Sequence, residues 1–263
     1  MAMQEGVMYM YPKTIKMNKD TVVKRDHPDL MRIEVEKTIR AYKIGQECGL
    51  FRVPRVLDYN DDKGLVVLER IHRAKGVRDL IAFGRIDESL IETFGKAIAI
   101  IHKDLVLPSE MRISLPFELA LNQNEVFLHG DLSVDNVCVV DSKPPIVILD
   151  WQMTLIYGGK ATYGTCYYDL AFFINTMFIR PIPCYWSCLS ADSAATKFMQ
   201  SYASTMSDFD AKEFKRYVKL FFQQVLIYRT NIMTWKRRIS MIPCHYLFRR
   251  WIETVGRDDL KVK

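Results

Sequence analysis

Short β-rich runs and one long helical pattern alternate in the N-terminal part of the chain. The runs 14–17 and 21–24 flank the polar turn 18–20, which predicts a tight hairpin. From 28 to 46 apolar residues recur at helical spacing, with a proline at the start and Gly49 just past the end. The pattern therefore predicts a strand pair followed by one amphipathic helix.

The hydrophobic pattern continues with two more strands and then becomes mainly helical. Runs 53–57 and 65–68 predict strands around a polar turn, and 90–102 has apolar positions at helical spacing. With 263 residues and 49% apolar content, the chain can bury a full core and is not a disordered protein. These features favour an α+β fold of two unequal lobes around a cleft.

A second hairpin brings several polar residues together near the middle of the chain. If 137–140 pairs with 146–149 in antiparallel fashion, Asn136 is set opposite Asp150 at the open end of the hairpin. Asp131 lies on the loop that leads into the first of these strands. The sequence thus predicts one amide and two carboxylates in one place.

These three side chains suit phosphoryl transfer. Mg²⁺ prefers oxygen ligands and keeps several waters, so Asn136 and Asp150 could hold the ion together with nucleotide phosphates. Asp131 would remain unliganded and would orient an acceptor hydroxyl and take its proton. The alternative is an ordinary polar turn in which aspartate and asparagine serve as turn formers. The hairpin geometry and the downstream carboxylate together favour the catalytic interpretation.

The motifs of this region resemble a known group of enzymes. His129–Asn136 has the form H-G-D-x-x-x-x-N, and Ile148–Trp151 is an apolar strand that ends in D-W. Gly158–Gly159 and Tyr168–Phe173 follow in the order of a G…D-L-A segment. The chain resembles the aminoglycoside-phosphotransferase and choline-kinase-like families, small-molecule relatives of protein kinases. The D-W-Q of Asp150–Gln152 is most similar to the ecdysteroid-kinase-like branch.

The resemblance implies a protein-kinase-like fold and a nucleotide co-substrate. A small β-rich lobe, 1–71, would bind ATP or GTP, and a larger, mainly helical lobe, 72–263, would carry the catalytic and acceptor sites. Lys24 would neutralise phosphate charge, with Glu34 as its partner because Glu34 borders the buried stripe of the helix. A solvated strand lysine is the alternative for Lys24.

Further residues take roles by the same resemblance. The backbone of Glu69 and Ile71 would bind adenine at the hinge between the lobes, although a plain interdomain linker is a compatible alternative. Asp169 would brace the catalytic loop, with His129 as part of the same support, and neither would touch the substrate.

The N-terminal part lacks one expected element, so other functions stay open. No glycine-rich phosphate loop precedes Lys24, since the one glycine upstream is Gly6. A catalytically weak, nucleotide-binding pseudokinase is therefore one alternative. A protein Ser/Thr kinase is another, but no D-F-G or A-P-E motif follows the catalytic loop.

Charge is concentrated near the C-terminus. Segment 211–250 has ten Lys and Arg residues and one acid, a net charge of +9 in a chain whose total is +6. One hypothesis is that the segment faces an anionic acceptor, such as a phosphorylated sugar, or an anionic membrane that presents a glycolipid. A solvated helix surface is the alternative, and nucleic acid is the less favoured partner.

The sequence shows neither a secretory signal pattern nor a membrane-spanning stretch. The N-terminus has no basic start followed by an apolar core, and the longest apolar stretch, 170–179, is too short to span a bilayer. We therefore expect a cytoplasmic protein, with peripheral membrane contact as a further hypothesis.

Overall fold

A computed structural model describes most of the chain. The described residues are 13–121, 123–152, 161–179, 185–232, 234–235 and 241–255. The strands are β1 (Thr14–Met17), β2 (Thr21–Arg25), β3 (Phe51–Arg52), β4 (Val56–Asn60), β5 (Leu65–Glu69), β6 (Lys75–Gly76), β7 (Glu125–Phe127), β8 (Val137–Val139), β9 (Ile146–Ile148) and β10 (Tyr163–Thr165). The helices are α1 (Pro28–Cys48), α2 (Val77–Ala82), α3 (Glu88–Asp104), α4 (Tyr167–Ile179), α5 (Tyr185–Thr205), α6 (Ala211–Ile232) and α7 (Ile242–Thr254).

The N-terminal strands form one antiparallel sheet in the order β1-β2-β5-β4. The predicted hairpin is confirmed, because Met17 pairs with Val22 across a short turn. α1 covers this sheet, and its Met31 and Val35 pack in one cluster with Val66 and other apolar residues of the sheet. Burial of these apolar side chains fixes the position of α1 against the strands.

The ends of α1 follow the signals in its sequence. The ring of His27 accepts a hydrogen bond from the Asp29 amide, and Pro28 occupies the first turn, where its missing N–H is no loss. Gly49 adopts φ +66° and its N–H donates to the carbonyl of Gly45. The helix prediction is confirmed, and α1 extends two residues past its predicted end at 46.

The predicted strand over 53–57 is wrong in its bounds. The chain divides there into β3, which ends at Arg52, and β4, which begins at Val56. Pro54 has no N–H to give to a ladder, so the segment around it leaves the sheet. β3 pairs in parallel with β9 instead, in a second sheet of the order β3-β9-β8-β6.

The register of the second hairpin differs by one residue from the predicted one. Cys138 pairs with Val147, and the Leu149 amide donates to the Asn136 carbonyl at 2.8 Å, so Asn136 lies opposite Leu149 and not Asp150. The physical reason is the turn: the Pro145 carbonyl accepts from the Val140 amide at 2.8 Å, which shortens the connection by one residue. Proline cannot donate within a ladder, but its carbonyl can still accept.

The C-terminal part is a helical core built around α4. Its side chains are almost all buried, from Tyr167 to Phe178. α3, α5 and α6 pack around it, and the ring of Phe94 on α3 lies 4.8 Å from that of Phe173 on α4. The predicted helix over 90–102 is confirmed as part of α3. This arrangement confirms an α+β fold with a β-rich N-terminal part and a helical C-terminal part, while the lobe boundary at residue 71 stays a prediction.

No helix among the described residues combines the length and apolar content that a membrane crossing requires.

Candidate active site

The loop between β7 and β8 is held from below by α4. The amides of His129 and Gly130 donate to the two carboxylate oxygens of Asp169, at 2.6 and 2.9 Å. The Val134 amide donates to the hydroxyl of Thr176, two turns further along α4. The backbone of this loop is therefore fixed at both ends by one buried helix, through Asp169 and Thr176.

Asp169 is charged although it is completely buried. Burial raises the pKa of this carboxyl, but the hydrogen bond and charge of His102, the charge of His129 and the Gly130 amide lower it further, to a net pKa below the usual value. The His102 ring also contacts the Tyr202 hydroxyl at 2.9 Å. His102 thus has a structural place behind the loop, away from the cleft.

Asp131 and Asn136 contact each other directly. The Asn136 amide nitrogen donates to the Asp131 backbone carbonyl at 2.8 Å and to its carboxylate at 3.0 Å. Gly130 precedes them with φ +86°, a conformation that side-chain-bearing residues rarely adopt. These bonds aim the Asn136 nitrogen at the loop and leave its amide oxygen as the available ligand atom.

Lys24 bridges two carboxylates from different parts of the chain. Its ammonium lies 2.5 Å from Glu34 on α1 and 2.7 Å from Asp150, which follows β9. Burial lowers the pKa of Lys24, but the charges of Glu34 and Asp150 raise it to a net value above normal. The partner chosen from sequence is therefore in place, whereas Glu36 bonds Arg40 on the same helix.

Asp150 sits at the point where the chain leaves β9. Its backbone has φ +53°, an uncommon conformation for a residue with a side chain, and this directs the carboxylate toward Lys24. Burial raises the pKa of Asp150, but the charge and hydrogen bond of Lys24 lower it to a net value below normal. Asp150 is therefore an anion ready to bind a cation.

The residues after Asp150 connect the two halves of the site. The Trp151 ring is buried and its centroid lies 4.5 Å from that of His129. Gln152 donates to Asp26 at 2.7 Å and accepts from Lys13 at 2.5 Å. The sequence reasoning used Gln152 only as part of a motif and missed Asp26, although a carboxylate between β2 and α1 was a visible signal.

Lys37 is the most important residue that the sequence reasoning missed. It is fully buried in α1 and donates to the backbone carbonyl of His129 at 2.5 Å. Burial lowers its pKa to about 8, although Asp169, Glu34 and other nearby carboxylates act in the opposite direction. Its spacing of three from Glu34 puts both on one helix face, which was the available signal.

A cleft of about 480 Å³ lies between the first sheet and the second hairpin. Lys24, Glu69, Ile71, Asn136 and Asp150 all line it, so the structure brings together five predicted residues. Its other walls are apolar or follow the hinge: Ile15, Met17, Val22, Pro54, Leu68, Arg70, His72, Arg73, Ala74 and Leu149.

The remaining predicted residues lie outside the cleft lining. Glu34 contacts the Lys24 ammonium from α1, and Asp131 contacts the amide of Asn136. The side chains of His129 and Asp169 are buried. The Glu69 amide donates to the Arg55 carbonyl, and its carboxylate accepts from Arg52.

The donor set of the cleft fits Mg²⁺. Within the described part of the chain, no group of three or more His, Cys, Asp or Glu residues could hold a metal. Asn136 and Asp150 instead offer one amide and one carboxylate oxygen on the same wall. Such a pair suits an ion that completes its shell with phosphate and water.

Some predicted features lie outside the described residues. These are Gly158–Gly159 of the G…D-L-A segment, Gly6, and Lys236–Arg238 of the basic segment. In the described part of that segment, Lys215 donates to the carbonyls of Glu253 and Val255 at 2.9 Å. Part of the positive charge therefore stabilises the end of α7.

Comparison with known proteins identifies what the chain is similar to. The sequence model of the phosphotransferase enzyme family matches residues 104–186, which include Asp131, Asp150 and Asp169. No curated protein sequence matches the chain. The family match indicates a phosphotransferase enzyme.

Solved structures resemble the whole chain in fold. A choline/ethanolamine kinase family protein from Mesorhizobium loti has a TM-score of 0.55 at 15% identity and covers 94% of this chain and 92% of its own. APH(2")-IIia in complex with GDP and kanamycin has 0.54 at 13%, covering 97% and 93%. A glucosamine kinase with glucosamine, ADP and phosphate has 0.52 at 14%, covering 92% and 77%. Together with the family match, these confirm the resemblance to the aminoglycoside-phosphotransferase and choline-kinase-like superfamily.

Proposed function

We propose that this protein is a kinase that transfers the γ-phosphoryl group of ATP or GTP to a hydroxyl of a small molecule, sugar or glycoconjugate. The observation that carries the proposal is the Lys24 ammonium, held between Glu34 and Asp150 on the wall of a cleft that Asn136 also lines. A fixed cation beside an oxygen ligand pair is what a magnesium-bound polyphosphate requires. Structurally similar proteins solved with GDP or ADP support the choice of co-substrate.

The nucleotide would lie between the apolar residues of the first sheet and Leu149. Backbone groups near Glu69 and Ile71 would bind the base, and Lys24 would neutralise the α- and β-phosphates. Asn136 and Asp150 would hold Mg²⁺, which supplies charge neutralisation on the phosphates when bound. Because Glu34 is buried, it keeps Lys24 extended toward the phosphates.

Asp131 would act as the catalytic base. It is half-buried, it follows a loop whose backbone Asp169 fixes, and the Asn136 amide holds one of its oxygens. Carboxylate oxygens can accept more than one hydrogen bond, so Asp131 would also accept from the acceptor hydroxyl and then take its proton as the phosphoryl group is transferred. Positioning supplies most of the rate enhancement in such reactions, so the fixed loop is central.

The acceptor would be a small hydroxyl compound. Similar structures include proteins solved with kanamycin and with glucosamine, which supports aminoglycosides and amino sugars as first candidates. The basic segment 211–250 adds anionic sugars and glycolipid headgroups to the candidates, and with them peripheral contact with an anionic membrane.

The test is a phosphate-transfer screen. Purified protein with Mg²⁺ and either ATP or GTP is assayed against aminoglycosides, amino alcohols, free sugars and glycolipid fragments. With the best acceptor, Asp131→Asn should abolish transfer but keep nucleotide binding, whereas Asp150→Asn should weaken binding of the magnesium nucleotide itself. Asp62→Asn, in the exposed turn before β5, is the matched control and should behave as wild type. Nucleotide binding without transfer to any acceptor would contradict the kinase proposal and favour a pseudokinase.

A further inference from the structure

The buried ammonium of Lys37 is unusual because it joins parts of the chain that are far apart in sequence. Its side chain starts on α1, one turn after Glu34, and ends at the backbone carbonyl of His129. A lysine is almost never fully buried unless a specific partner repays the loss of water. The side chain at position 37 therefore has a role that an apolar residue could not fill, which is to donate a hydrogen bond to the His129 carbonyl.

The two backbone polar groups of His129 are held from opposite sides. Its N–H donates to Asp169 of α4, at 2.6 Å, and its carbonyl accepts from Lys37 of α1, at 2.5 Å. The same α1 presents Glu34 to Lys24. One helix thus contacts both the phosphate-binding lysine and the residue two positions before Asp131.

The charges of four carboxylates on different elements favour the charged form of Lys37. They are Glu34 on α1, Asp169 on α4, Asp131 on the loop before β8 and Asp150 after β9, and the His129 ring is a further titratable neighbour. Because the ammonium is attracted to all four, displacement of any one of these elements weakens that attraction.

We propose that Lys37 is a positioning residue that sets the distance between the phosphate-binding pair Lys24–Glu34 and the catalytic base Asp131. This rests on the proposed kinase function. Without the ammonium, the His129 carbonyl would lack its buried donor and the loop could shift relative to α1 while Asp169 still held its amide. Substrate binding would change little, but in-line alignment for transfer would be lost.

The experiment compares Lys37→Met with Lys43→Met, which lies on the exposed face of the same helix. Hydrogen exchange is measured for peptides covering 128–137 and for α4, in protein without nucleotide. Affinity for fluorescent ATP with Mg²⁺ and kcat for the best acceptor are measured in parallel. We expect Lys37→Met to speed exchange in 128–137 but not in α4 and to lower kcat about tenfold to a hundredfold. Nucleotide affinity should change by less than about threefold.

Several outcomes would overturn the proposal. Unchanged exchange in 128–137 would show that Lys37 does not hold the loop, and equally faster exchange in α4 would show a general loss of stability. If Lys37→Met does not fold, Lys37→Gln, whose side chain is shorter and lacks the ammonium, decides by the same measurements. The exchange measurement needs no turnover. If wild type transfers phosphate to no acceptor, local loosening would still support the contact, while the kinase function alone would fail.

Discussion

The lowered pKa of Lys37 predicts how the free energy of unfolding changes with pH. Burial lowers its pKa from 10.5 to about 8 in the folded protein. In the unfolded chain the pKa returns to about 10.4. Between these two values the unfolded state binds more protons than the folded state, so stability rises with pH across that window. Below pH 8 the ammonium stays charged in both states, and the cost of burying it is present in full.

The size of the effect follows from the shift. A displacement of about 2.5 pKa units corresponds to about 3 kcal/mol between the low-pH and high-pH limits. Integrated from pH 7 to pH 10, the gain in the free energy of unfolding is on the order of 2 to 3 kcal/mol. Lysines and tyrosines elsewhere also titrate in this range. The quantity to measure is therefore the difference between wild type and Lys37→Met, which cannot titrate at this position.

The assay is urea unfolding of both proteins at pH 7, 8, 9 and 10. Wild type should gain on the order of 2 to 3 kcal/mol relative to Lys37→Met over this range, most of it above pH 8. Lys43→Met should follow wild type, because that lysine is exposed. Parallel curves for wild type and Lys37→Met would refute the reasoning. They would mean that Lys37 is either solvated or so well paired that its pKa stays normal.

Two further predictions follow from the site. Asp169→Asn should destabilise the protein by about 2 kcal/mol in urea unfolding and should also lower kcat. The reason is that the new amide group would face one of the two loop N–H donors, at His129 or Gly130. An unchanged kcat would contradict the role of Asp169 in holding the loop. If the basic segment binds an anionic acceptor or membrane, the triple change of Lys236, Arg237 and Arg238 to Glu should weaken that binding. The acceptor KM should then rise, or co-sedimentation with anionic vesicles should fall. No change in either measurement would exclude both partners.

Local signals in the sequence predicted the N-terminal elements well. The hairpin before Lys24 and the limits of α1 depend on turn residues, a first-turn proline and a C-terminal glycine, all of which act within a few residues. The strand around Pro54 failed because its neighbours are distant in sequence: β3 pairs with β9, almost a hundred residues later. Which distant strand a short segment joins is a tertiary outcome that local pattern does not contain.

At the predicted site, too, the sequence indicated which residues lie close together but not their exact geometry. The hairpin prediction brought Asn136 and Asp150 to one wall of the cleft although its register was off by one. It succeeded because the positive φ of Asp150 turns its carboxylate back toward Lys24, a compensation that no spacing rule supplies.

Lys37 was not predicted as a residue of the site. Charged helix positions are expected to face water, and the spacing of three from Glu34 was a weak local signal that Lys37 shares the buried face of α1. Its burial becomes understandable only in the folded structure, where the charges of Glu34, Asp131, Asp150 and Asp169 favour the ammonium and the His129 carbonyl accepts its hydrogen bond. The motifs identify which residues bear the negative charge. The fold decides which positive charges lie near them: Lys24 at the cleft, and Lys37, whose ammonium connects α1 to the backbone of His129.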